Sequence, residues 1–139
     1  MNDEENIALI QRVYDAYKRG DLQFILMSLS EDVDWIMEGP AIVPYTGKRK
    51  GVAQVKEFFE GLAGTQTDKK LTMEPLMSQG DQVAGLGRYS ATVTATGRGF
   101  DTPVAHFFTV RGGKICRFVN LADTAAIAEA YRGVAVSAR

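Results

Sequence analysis

A chain of 139 residues that is 45% hydrophobic, 24% charged and 9% aromatic has the size and composition of one ordinary globular unit, excluding disordered, collagen-like and disulfide-scaffold readings. Its 16 basic residues nearly cancel its 17 acidic ones, for a net charge of -1, so no basic field exists to attract nucleic acid. Cys116 is the single cysteine, which rules out an internal disulfide or cysteine metal cluster and points to a reducing, cytoplasmic setting. The acidic start, Asn2 to Asn6, does not resemble a secretory signal, and no run approaches ~18 apolar residues, so neither export nor membrane anchoring is expected. Without repeats or low-complexity linkers, residues 1–139 read as one domain with its core between 7 and 132.

Ile7, Ile10, Val13, Tyr14 and Tyr17 recur at helical spacing and predict a first helix over Asp3–Arg19. Gly20 then offers a stop and Asp21 a cap for a second helix with the stripe Leu22, Ile25, Leu26 and Leu29. A period-two strand follows, with Val33, Trp35 and Met37 inward and Asp34, Ile36 and Glu38 outward. Gly39-Pro40 breaks it, and residues 41–51 read as a loop. A third helix carries Val55, Phe58, Phe59 and Leu62 and is expected to stop at Gly64. Four strands are then predicted over Lys70–Ser78, Gln82–Thr96, Phe100–Arg111 and Lys114–Ala122, divided by glycine turns, and Asp123 caps a closing helix with Ile127 and Tyr131 on one side. Helices first, then strands joined by short turns, make an α+β fold: a curved antiparallel sheet covered on one face.

This order resembles the SnoaL-like branch of the NTF2-like and ketosteroid-isomerase-like superfamily. The residues that carry the resemblance are Arg19-Gly20-Asp21-Leu22, Asp32-Val33-Asp34-Trp35, Pro44-Tyr45-Thr46-Gly47 with Gly51 and Phe58-Phe59, Thr96-Gly97-Arg98, His106-Phe107-Phe108-Thr109-Val110, and Gly113-Lys114-Ile115 with Phe118 to Asp123. The resemblance spans about Ile7 to Arg132. It implies an NTF2-like cone-shaped domain whose concave sheet and N-terminal helices enclose an apolar cavity, and a homodimer formed through the outer sheet face. Similar proteins include polyketide cyclases, steroid isomerases, epoxide hydrolases, dehydratases and proteins without known catalysis, so the likeness implies a pocket rather than one reaction.

His106, the only histidine, alternates with Val104, Phe108 and Val110 and is the best general acid/base candidate. By similarity to cyclases that carry a histidine on this strand, it faces the cavity. Asn120 shares the parity of Cys116 and Phe118 and stands where the cyclases and epoxide hydrolases carry an aspartate; an amide can orient a carbonyl but not exchange a proton. The arginine and aspartate of similar epoxide hydrolases correspond to Gly87 and Tyr89, and the catalytic tyrosine and aspartate of ketosteroid isomerases fall near Val13 and around Glu38, so hydrolysis and steroid isomerisation fit poorly. Glycines in Gln82–Thr96 leave the register of that strand open to bulges.

Tyr17, Trp35, Tyr45, Phe59, Tyr89, Phe108 and Phe118 are the candidate substrate-binding residues, with Tyr14 assigned rather to core. Asp123 reads as a helix cap and Arg88 as outward, while Lys48-Arg49-Lys50 offers a weak anion site. No cofactor motif, metal-ligand cluster or nucleophilic triad is present. Two functions follow: an isomerase or aldol-type cyclase acting on a hydrophobic carbonyl or polycyclic ligand, with His106 moving the proton and Asn120 plus Tyr45 or Tyr89 steadying the enolate oxygen, or a non-catalytic ligand-binding or dimerisation module.

Overall fold

The computed structural model describes residues 2–137, with side chains described through Arg132. Helix α1, Asp3–Lys18, opens on a capping box in which the Asn2 side chain accepts from the Glu5 amide at 2.8 Å. Gly20 turns the chain with φ 75°, and Asp21 caps α2, Leu22–Met27, by accepting from the Phe24 amide at 3.0 Å. Leu29 belongs to strand β1, Leu29–Met37, and not to the helix, because its amide run is taken up by the sheet. Strand β2, Gly47–Lys50, lies within the segment expected to be a loop and pairs with β1. Its basic residues carry no apolar alternation that would reveal a strand.

Helix α3, Val52–Thr65, runs past Gly64, and strand β3 begins at once, over Gln66–Met73. The expected strand over Lys70–Ser78 is two strands, because Pro75 cannot donate to a ladder; β4 is Met77–Gln79. Strands β5, Gln82–Val93, β6, Gly99–Arg111, and β7, Lys114–Ala122, form the long meander, and α4, Thr124–Ser137, closes the chain. The sheet order is β2-β1-β7-β6-β5-β3, with β4 also on β5. Every pairing is antiparallel except β1 with β7, which is parallel.

Register decides which side chains face the helices. β5 pairs with β6 without interruption from Gln82 to Thr92, so no bulge exchanges its faces: Val83, Gly85, Tyr89, Ala91 and Val93 point inward. In β7 the expectation fails at one residue. Thr109 faces Arg117 and Val110 faces Ile115, which leaves Cys116 as an extra residue in a bulge. Ile115, rather than Cys116, therefore joins Phe118 on the buried side.

Gly85 and Gly87 seat the segment between β3 and β4. A methyl group on Gly85 would meet Leu76 Cδ2 at 2.6 Å and Met73 Cε at 3.0 Å, whereas one on Gly87 would collide with the Thr72 carbonyl oxygen and Met73 Sδ. A side-chain end can rotate away; a backbone carbonyl held in the β3–β5 ladder cannot. Gly87→Ala is therefore expected to lose about 2–3 kcal/mol in urea denaturation, and Gly85→Ala less than half as much. Equal losses would mean that the connecting segment is free to move as a whole.

Candidate functional site

The helices do not fill the concave face completely. A partly open hollow of ≈ 80 Å³ remains between α1, α3, α4 and strands β1, β5, β6 and β7. This is several times the ~10–15 Å³ that one water requires. Among the described residues that line it, none carries a formal charge at neutral pH.

At one end stands His106. It is buried, pairs across the sheet with Gly85 and Asn120, and packs edge-on against Phe118 with ring centres 5.1 Å apart. Its Nδ1 lies 2.7 Å from the Tyr14 hydroxyl. That hydroxyl has no other hydrogen-bond partner among the described residues. The bond is thus best satisfied with the phenol donating to Nδ1, because the reverse arrangement strands a buried phenolic proton. The neutral imidazole then carries its proton on Nε2, the nitrogen left without a protein partner. Burial pulls the His106 pKa down from 6.5 to about 4, and burial likewise raises the Tyr14 phenol. The ring is consequently neutral at pH 7 and acts as a hydrogen-bond donor rather than as a charged acid.

Asn120 lies beside it. Its Nδ2 reaches only Met37 Sδ at 3.6 Å, and its Oδ1 is buried without a partner. Trp35 stacks on Phe118 with centres 4.2 Å apart and touches Phe58 and Phe59, while its Nε1–H is also unpartnered.

A second polar group forms around Gln66, which is 2% exposed. Gln66 Nε2 donates to the hydroxyl oxygens of Tyr45 at 2.9 Å and Tyr131 at 3.0 Å, and its Oε1 accepts from Tyr89 at 2.5 Å. The Tyr17 hydroxyl adjoins Tyr89 without forming a hydrogen bond of acceptable geometry. Burial raises the pKa of Tyr17, Tyr45 and Tyr89, so all three remain protonated phenols.

His106, Asn120, Tyr17, Trp35, Tyr45, Phe59, Tyr89, Phe108 and Phe118 all border this one hollow. One expectation is corrected. Tyr14, read as core, lines the hollow and holds His106. Tyr45 and Tyr89 are gathered by Gln66, which no sequence pattern singles out. Tyr14 was legible in part, since Ile10, Tyr14 and Tyr17 share a helical face; a lone glutamine between a helix and a strand has no such signature. Arg49 is occupied in donating to the Tyr45 carbonyl at 2.8 Å and lies over the Phe58 ring, so the basic triplet does not present a free anion cradle. Asp123 caps α4 through the Ala126 amide, and Arg88 pairs on the surface with Asp101.

The depressed His106 pKa has a consequence for folding. The unfolded chain takes up this proton near pH 6.5, the folded one only near pH 4, so stability is full above 6.5 and falls as pH drops between these values. The loss should approach 3 kcal/mol, on the order of 1.4 kcal/mol per unit of difference. The lowered carboxyls of Asp21 and Asp81 titrate further down, starting from 3.8, and do not share this window. Urea midpoints across pH 4–7 should therefore slope in the wild type and flatten in His106→Phe; an unchanged slope would assign the window to other groups.

The family profile of the SnoaL-like domain matches residues 10–118. An uncharacterized protein of Mycobacterium tuberculosis is 30% identical over 130 residues, 91% of this chain and 95% of its own length. An NTF2-like protein of unknown function from Burkholderia pseudomallei superposes with a TM-score of 0.85 at 23% identity, covering 94% of this chain and 98% of that one. TerC, co-crystallised with polyporic acid, superposes at 0.82 with 26% identity over 92% and 98% of the two chains. On these matches the chain belongs to the SnoaL-like family with an NTF2-like fold.

Proposed function

We propose that this protein binds a flat, hydrophobic carbonyl compound in the hollow and polarises its carbonyl with the Nε2–H of His106, promoting isomerisation or aldol-type ring closure. The observation that carries the reading is the Tyr14–His106 bond, which commits Nδ1 and leaves Nε2–H to meet a ligand. Among the described lining residues there is no carboxylate to act as a base. A ligand that enolises by itself and carries a further ketone along its chain, such as a β-diketone with a remote third carbonyl, suits such a site. Its enol carbon attacks the remote carbonyl held by Nε2–H, the new C–C bond forms, the carbonyl oxygen takes the Nε2 proton, and the enol hydroxyl returns one to the ring. Asn120, with its free Oδ1, then accepts from the enol hydroxyl instead of removing a carbon-bound proton. The co-crystallisation of TerC with polyporic acid supports a small-molecule ligand for this fold. The same lack of a carboxylate favours a second reading, binding without turnover.

Trp35 is the only tryptophan and borders the hollow, so its single indole N–H resonance reports occupancy. 2-Acetylnaphthalene should shift that resonance and bind about tenfold more tightly than 2-ethylnaphthalene, the margin that one hydrogen bond supplies. Tyr14→Phe, which releases the tautomer, should shrink the margin severalfold. Cyclisation of an aryl β-diketone that carries a remote third ketone above the buffer rate, lost in His106→Phe, would favour catalysis; binding without such a rate would favour the second reading.

The assembly proposed is a cytoplasmic homodimer. The lone Cys116 fits a reducing compartment. On the outer face, Leu86, Ala105 and Leu121 stand in one row across β5, β6 and β7, with Phe107 in the next; Leu86, Phe107 and Leu121 are 53%, 44% and 51% exposed. Apolar rows of this kind on an open sheet are suited to a second copy. Light scattering should give twice the chain mass for the wild type and the chain mass for Phe107→Glu, with the indole resonance in place; a monomeric wild type would remove the dimer.

A further inference from the structure

The hydroxyl protons around Gln66 can be assigned one by one. Thr65 Oγ1 donates to the Gly61 carbonyl at 2.6 Å, so at its 2.8 Å contact with Tyr131 it must accept, and the Tyr131 proton is committed there. The Tyr131 oxygen can then only accept from Gln66, which fixes the amide with Nε2 toward Tyr131 and Tyr45 and Oε1 toward Tyr89. Tyr89 gives its proton to that oxygen. Tyr45 accepts from Nε2; its own proton, near the Tyr131 oxygen, and the Tyr17 hydroxyl, near Tyr89, each approach a neighbouring phenol without completing a hydrogen bond. Two phenolic protons are thus left over on residues that line the hollow.

Tyr89, which the Tyr17 hydroxyl adjoins, follows Gly85, the cross-strand partner of His106, by four residues of β5, ~13 Å of extended backbone, which sets this cluster apart from the imidazole along the sheet. Two uncommitted donors in a dry, uncharged surrounding are costly unless an acceptor meets them. We propose that Tyr17 and Tyr45 form a second ligand contact that receives an acceptor oxygen, so that the natural ligand is an uncharged, elongated aromatic molecule with oxygen at both ends. One end is the carbonyl on His106 and the other an ether, ketone or hydroxyl oxygen on the tyrosine pair. Gln66 is a positioning residue: it ties up the Tyr89 proton and turns the Tyr45 proton outward. The inference rests on the reading of the hollow as a ligand site.

The test compares 2-acetyl-6-methoxynaphthalene with 2-acetylnaphthalene, which differ by one distal oxygen that can accept but not donate. Affinities come from the Trp35 indole resonance. In the wild type the methoxy ketone should bind about tenfold more tightly. The ratio should fall severalfold in Tyr17→Phe and to near one in the Tyr17→Phe, Tyr45→Phe double variant, while persisting in Tyr14→Phe, where both ketones weaken. Tyr17→Phe removes no hydrogen bond and so should fold, with a melting temperature at or above that of the wild type. A wild-type ratio near one, or a ratio that survives in the double variant, overturns this contact and leaves the ligand site standing. Failure of both ketones to bind overturns the two together.

Discussion

The Tyr14–His106 bond ties the first helix to the middle of the sheet, and most of the site's chemistry follows from it. An imidazole buried on an apolar strand would be costly without a partner. Tyr14 supplies one at 2.7 Å, and in doing so removes Nδ1 from play. The ring that remains is neutral, oriented and single-faced, with one N–H to offer. An acidic neighbour would have raised the His106 pKa and made it a cation; a phenol does not, and burial lowers it instead. Tyr17, one turn further on in α1, comes beside Tyr89, which Gln66 holds.

Packing on the other side of the hollow depends on the absence of side chains. Gly85 and Gly87 let Met73 and Leu76 lie against β5, closing the sheet edge where larger residues would have held it open. The resulting enclosure is lined by rings and aliphatic chains, and its polar atoms are all neutral. Such a lining selects by shape and by a few hydrogen bonds, not by charge.

Much of this was legible in the residues and some was not. The helix corner at Arg19-Gly20-Asp21, the inward Trp35 and the meander of glycine-divided strands announce themselves by periodicity and turn chemistry, and His106 followed from parity along β6. Cys116 was misplaced because one inserted residue breaks the alternation where it sits, so counting back from Phe118 goes wrong across it, and a bulge leaves no mark in composition. β2 escaped notice because its residues Lys48-Arg49-Lys50 are held by backbone pairing and by Asp34 rather than by an apolar face. Gln66 was invisible for a different reason. Its role depends on three tyrosines 21, 23 and 65 residues away, which only the tertiary fold assembles.

Two kinds of donor are now distinguishable in one apolar chamber. The imidazole N–H is backed by a phenol, so its strength can respond as charge grows on a ligand oxygen: the Tyr14 proton can shift toward Nδ1 as Nε2–H is drawn out. The Tyr17 and Tyr45 hydroxyls have no such backing. Tyr45 is held by an amide that only donates to it, and Tyr17 stands alone. A donor aimed at an oxygen on which charge grows stabilises a transition state more than a ground state, whereas one on an oxygen whose charge does not change stabilises both alike. On the proposed function, bond-making would belong to the His106 end, and the tyrosine end would fix the ligand's direction and length.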